Sequence, residues 1–176
     1  MEPAALAKRY RSLWMGETVA SLLFVGLFLR VALTSGSWSD WIVRTYSLGV
    51  VILILAQGVV WWRWKLRQLR AQQRTMPAEV LDWFERCKRL NWLLIGAFPV
   101  VVAFKWWLTG TLWPSDDTLF GLLFLGGAVL EQINYYYYQL MYDSRYDLME
   151  LRTHRRLRRG SIGKALVEQP HSSSLS

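Results

Sequence analysis

Apolar residues in this chain gather in four long runs, at residues 13–33, 42–64, 90–107 and 119–141, and polar and charged residues concentrate between and outside them. A hydrocarbon core about 30 Å thick needs roughly 20 apolar residues of helix. The pattern therefore predicts an all-α membrane protein, a four-transmembrane-helix bundle. Its flanking segments are an arm at 1–12, loops at 34–41, 65–89 and 108–118, a helical extension at 142–159 and a tail at 160–176.

Charge orients the runs. The arm carries Lys8, Arg9 and Arg11, the middle loop is rich in Lys and Arg, and the C-terminal portion is basic from Arg145 to Lys164; the loops at 34–41 and 108–118 hold no Lys or Arg. Cytoplasmic segments retain positive charge, so both termini and the middle loop are expected inside a cell membrane. The formal charge of +8 would suggest nucleic acid in a soluble protein. Here the excess lies in the span flanks, so no nucleic acid is expected. The expected partners are the lipid bilayer itself and anionic headgroups, each basic residue near the surface adding about 1 kcal/mol. The candidate basic surface comprises Arg63, Lys65, Arg67, Arg70, Arg155, Arg156, Arg158 and Arg159.

Tryptophan marks the boundaries independently. All eleven, Trp14, Trp38, Trp41, Trp61, Trp62, Trp64, Trp83, Trp92, Trp106, Trp107 and Trp113, fall at or outside the ends of the runs, as amphipathic rings at headgroup level do. The first run is interrupted by Glu17 and Arg30. Because Arg30 follows the apolar stretch and no small-x-small cleavage site is evident, a retained helix is expected rather than a signal peptide.

The halves align at an offset of 75 residues: Arg30, Leu33, Thr34 and Trp38 match Lys105, Leu108, Thr109 and Trp113, Gln57 matches Gln132, and Trp61-Trp62 falls on Tyr136-Tyr137. Two helical hairpins in parallel, related by an axis along the membrane normal, would give this pattern; shared basic ends and Trp belts would also give part of it. Short outer loops should keep the first two helices adjacent, and likewise the last two. Gly16 and Ala20 have close-packing spacing, and Pro99 should bend the third run.

No Gly or Pro lies between Gly58 and Pro77, so the second helix can continue past the membrane through Gln73. The fourth meets no such breaker from Ala128 to Arg159 and could project about 25 Å. The two extensions would form a two-helix stalk, and 78–89 places Val80, Leu81, Phe84 and Cys87 on one face, which suits a helix lying on the membrane surface or packed against that stalk. The tail from Gly160 is polar and Ser-rich, and disorder is expected.

The candidate site is a polar stripe in the fourth run. Glu131 would lie roughly 18 Å deep, with Asn134, Tyr138, Tyr142 and Arg145 on its face, Gln132, Tyr135, Tyr136 and Gln139 on the next, and Ile133, Tyr137 and Leu140 toward lipid. A carboxylate at such depth is paired, protonated or beside water. Partners available to it are Asn134, Tyr135 or Tyr138 on its own helix, Gln57, and further off Glu17 or Asn91. These groups are either a hydrogen-bonded knot that fixes helix register or a proton or cation site.

Enzyme signatures are absent. The chain has no H-E-x-x-H, G-x-S-x-G, C-x-x-C, Walker A or dinucleotide fingerprint. Its histidines, His154 and His171, lie in the C-terminal portion, so no cofactor or metal is expected in the spans, and the lone Cys87 allows no internal disulfide. Asp116 and Asp117 read as first-turn caps of the fourth helix. A non-enzymatic accessory or scaffold subunit is expected, acting as a homo-oligomer or with a membrane-protein partner. The alternatives are a small oligomeric ion or proton-coupled channel or transporter centred on Glu131, or a lipid-modifying enzyme using the Tyr cluster.

Overall fold

The computed structural model describes residues 3–34, 38–73, 75–110, 116–140 and 157–168. The described elements are helical: α1 Pro3–Thr34, a short 3-10 helix Trp38–Trp41, α2 Ile42–Arg70, α3 Ala78–Gly96, α4 Phe98–Thr109, α5 Asp116–Tyr136 and α6 Ser161–Glu168. Three stretches, Ala4–Arg30, Trp38–Arg70 and Ala78–Thr109, are long and apolar enough to cross a membrane. The 21 residues of α5 carry Glu131, Gln132 and Asn134 near their C-terminal end, which lowers their apolar character.

α2 is the hub. Its buried Val43, Ser47, Val50, Ile54, Gln57 and Trp61 alternate in steps of four and three, the seam of knobs-into-holes packing. The facing helix is α5, with buried Gly121, Ala128, Gln132 and Tyr135. The two run parallel: Gly121 lies against Val43, Gly127 against Val51, and Gly58 against Tyr135. A Cβ at Gly121 would meet the Val43 backbone at 3.1 Å, so the small residue sets how closely the helices approach. The last two spans touch, as expected, where Asn91 and Lys105 meet Gln132 and Asp117, but α5 packs most extensively on α2. α1 lies along α2 and reaches α5 through Phe24, whose ring meets Phe124 edge-on at 5.9 Å, while Leu22, Leu23 and Leu27 stay exposed.

The expected bend at Pro99 is a break. α3 ends at Gly96, Ala97 turns, and Val100 and Val101 restart the helix with bonds to the Ala97 carbonyl. Proline has no N–H to donate. The Tyr46 hydroxyl donates to the Leu94 carbonyl beside the break at 2.6 Å, supplying a protein donor where the helical ladder is disturbed. The segment 78–89 is not a separate surface helix, since α3 continues from Ala78 through Gly96 with Leu81, Phe84 and Cys87 buried. It packs on α2 and α5, and not on a two-helix stalk, because α5 ends at Tyr136.

α2 stops at Arg70, short of Gln73. Gln73 N donates to Gln68 O and Gln72 N to Leu69 O, with Gln72 at φ 52°, a left-handed C-terminal motif that a glycine normally supplies. The unbroken helix from Ala128 to Arg159 is overturned. α5 ends at Tyr136, Tyr138 pairs with Arg159, and Gln139 N donates to Arg158 O. Tertiary pairing thus competes with helix continuation, and the chain returns to its starting point. Residues 141–156 lie outside the described set.

Disorder from Gly160 is overturned as well, as far as Glu168. α6 docks on the ends of α3 and α5, burying Ile162 completely, and the Trp61 indole donates to Ser161 Oγ at 2.8 Å. Gly160 and Gly163 permit this: a Cβ at either would run into the carbonyls of Asn134, Tyr135 or Tyr136. Low overall apolarity concealed a short helix whose single apolar side is enough to dock it. The rest of the tail, 169–176, lies outside the described residues.

Candidate functional site

The polar residues of the stripe separate into two groups on either side of the α2–α5 seam. Asn91 on α3 is the hub of the first. Gln57 Nε2 donates to Asn91 Oδ1 at 2.9 Å, and Asn91 Nδ2 donates both to Gln57 Oε1 and to Gln132 Oε1 at 2.8 Å. Tyr136 OH adds a second donor to Gln57 Oε1 at 3.0 Å, and Gln132 Nε2 reaches the Lys88 carbonyl at 3.2 Å. Gln57, Asn91 and Gln132 are buried. Each amide supplies what its neighbour lacks, so three helices share one layer of satisfied hydrogen bonds.

The second group joins α1, α2 and α5. Glu17 Oε1 accepts from the Trp62 indole at 2.7 Å. Its other oxygen lies beside the Tyr135 hydroxyl, both over Gly58, where a Cβ would overlap them. Glu131 accepts from Asn134 Nδ2 at 3.4 Å. The neighbour at hydrogen-bonding distance is thus on its own helix, while Gln57 and Asn91 bond to each other instead. Asn134 Oδ1 also accepts from Leu140 N at 2.9 Å, closing the end of α5.

The residues past the end of α5 leave their expected faces, Gln139 and Leu140 among them. Tyr138 lies beyond the last turn of α5, in the bridge to Arg159, and does not share the helical face of Glu131. Tyr137, expected toward lipid, accepts from the Trp92 indole at 2.9 Å and carries the Lys88 ammonium 4.7 Å from its ring centroid. Tyr142 and Arg145 lie outside the described residues, as do Arg155 and Arg156.

Around this end of the molecule the basic residues lie against aromatic rings. Arg63 stands 5.7 Å from the Trp14 ring centroid and Lys65 4.9 Å from that of Trp61. Arg67 and Arg70 occupy the last turn of α2, where cations meet the negative end of the helix dipole. Arg158 and Arg159 flank the turn into α6.

A site that sequence reasoning missed occupies the opposite end. Asp117 is 1% exposed and receives the Lys105 ammonium at 2.8 Å and Arg44 Nε at 3.1 Å. It also accepts the backbone N–H groups of Val43 and Arg44 at 3.1 and 2.8 Å. Asp117 therefore stands in the first turn of α5, as its position implied, while its carboxylate also caps the start of α2. Carboxylates suit a helix N-terminus whichever chain segment supplies them. Arg44 additionally donates to the Asp40 carbonyl at 3.0 Å and stands 4.1 Å from the Trp41 ring centroid. The overlooked signal was the presence of Arg44 and Lys105 inside apolar runs, at the end where the loops carry no basic residue: a cation there needs a partner.

No family model, curated protein or solved structure matches the chain. Among the described residues, no group of three or more His, Cys, Asp and Glu side chains is placed to hold a metal ion.

Proposed function

We propose that this chain is a multi-pass protein of the cell membrane with four spans and cytoplasmic termini, serving as a non-enzymatic accessory or scaffold subunit alongside a membrane-protein partner or further copies of itself. Three apolar helical stretches support the membrane reading. The parallel, level packing of α5 on α2 supports a fourth span, because a helix lying along a spanning helix over most of its length crosses with it. Segregation of Lys and Arg supports the orientation. The observation that carries the scaffold reading is the amide layer: Gln57, Asn91 and Gln132 are consumed by bonds to one another, which is how a membrane helix set fixes register.

The same packing supports duplication. Gln57 and Gln132, equivalent at the 75-residue offset, both bond Asn91, and the α2–α5 register is close to that offset.

One observation favours a second reading, an ion or proton-coupled channel or transporter. Glu17 on α1 and Glu131 on α5 both put carboxylates inside apolar runs, Glu17 beside Tyr135 of the helix that carries Glu131, and carboxylates so placed commonly serve ion pathways. Glu131→Gln separates the two. It keeps shape and hydrogen bonding while removing titration, so a scaffold retains normal abundance, assembly and cellular function. Normal abundance with lost function would overturn the scaffold reading. For topology, cysteines at Ser37 or Ser115 should react with an impermeant reagent from outside, and one at Ser172 only after the membrane is opened; the reverse pattern would overturn the orientation.

A further inference from the structure

We propose that the outward face of α1 at the basic end binds one anionic phospholipid of the cytoplasmic leaflet, with its phosphate at Lys8, Arg11 and Ser12 and an acyl chain over Gly16. This rests on the membrane placement above. Lys8, Arg11, Ser12, Met15, Gly16 and Val19 recur at helical spacing and share one shallow, exposed face of α1. The polar members come first, and the apolar ones follow along the helix toward the membrane interior. Lys8 to Val19 spans about 16 Å at 1.5 Å per residue, enough to pass from headgroup to hydrocarbon.

The packed side of α1 is a different one. Tyr10 stacks on Trp62 at 5.6 Å between centroids, and Glu17 accepts from the Trp62 indole. Glu17 is the acid of the described α1 residues and is engaged there, so no carboxylate on this helix offsets Lys8 and Arg11 on the outward face. Gly16 leaves that face open: a Cβ there meets nothing within 4 Å. Charge complementarity selects the occupant. A phosphodiester with a net negative charge satisfies the two cations and the hydroxyl together, whereas the same face of a second copy would set Lys8 and Arg11 against their like.

A neutral change of shape distinguishes a defined lipid position on this face from diffuse attraction to a basic surface. Gly16→Leu adds bulk at a position where a Cβ meets nothing within 4 Å, and Lys8→Gln/Arg11→Gln removes the charge. The full-length protein, purified in mild detergent, is titrated with phosphatidylglycerol or phosphatidylcholine, and bound lipids are counted by native mass spectrometry. The wild type should bind one phosphatidylglycerol in preference to phosphatidylcholine. Gly16→Leu should weaken that binding roughly tenfold with unchanged helicity and melting, and the double glutamine variant at least as much. Equal binding of both lipids, or full phosphatidylglycerol binding by Gly16→Leu, would overturn the site. So would a dimer that Gly16→Leu turns into monomers with lipid binding intact, because the face would then be a protein interface. Lipid binding in detergent does not depend on which way the chain is inserted, so a failed orientation shows separately in the cysteine labelling.

Discussion

The two ends of the α2–α5 pair are held by different chemistry. At the far end one carboxylate, Asp117, ties α4, α5 and the first turn of α2 through two cations and two backbone N–H groups. Near the basic end, neutral amides from α2, α3 and α5 exchange hydrogen bonds, and α6 closes over the ends of α3 and α5. A charge cluster concentrates its stability in one residue, whereas an amide layer spreads it. Removing one partner of a buried ion pair leaves the other charge uncompensated; removing one amide leaves neutral groups that can rotate toward remaining partners.

Asp117→Ala tests the concentrated end and should have the largest effect. Lys105 and Arg44 would lose their shared counter-charge and α2 its cap, so stability should fall by about 3–5 kcal/mol. Thermal unfolding in detergent measures it. A loss no greater than that of an amide substitution would erase the contrast between the ends.

Gly163→Val strikes the docked helix. Its side chain would enter the Tyr136 carbonyl, and overpacking of this kind costs about 1–3 kcal/mol. Because α6 is short and peripheral, the cost should appear as local undocking. Hydrogen exchange at 161–168 should accelerate while α2 and α5 stay protected. Protection lost equally throughout would mean that α6 is part of the cooperative core.

Asn91→Leu should be the mildest, at about 1–2 kcal/mol. Converting Gln57 and Gln132 to Leu in the same protein should recover part of that loss, since removing all partners leaves fewer unsatisfied groups than removing one. A triple variant that loses the sum of three single losses would show that the layer behaves as independent contacts.

Much of the element pattern was legible because it depends on local composition. The apolar runs, the break near Pro99 and the polar stripe around Glu131 each follow from residue type and spacing. Pairing was not legible. Glu131, Gln57 and Asn91 all stand out in the sequence, yet the structure joins Gln57 and Asn91 and leaves Glu131 with Asn134. Periodicity says which residues share a helix face, and it does not say which other helix that face meets. The further partners of Asp117 were hidden for the same reason, as a helix N-terminus close in space accepts a cap from any segment.

The sequence by itself determined an all-helical chain with membrane-length apolar stretches and strongly segregated charge, because bilayer thickness and helix rise convert composition directly into such elements. Only tertiary structure decided that α5 stops at Tyr136, that the chain comes back through Arg159 to dock α6, and that Asp117 also caps the start of α2. Those outcomes depend on groups distant in sequence: the carbonyls of Asn134 to Tyr136 that receive glycines 160 and 163, and the N–H groups of Val43 and Arg44 that receive a carboxylate more than seventy residues away. No local pattern records which distant group will satisfy a helix end; the packing of α2 against α5 does.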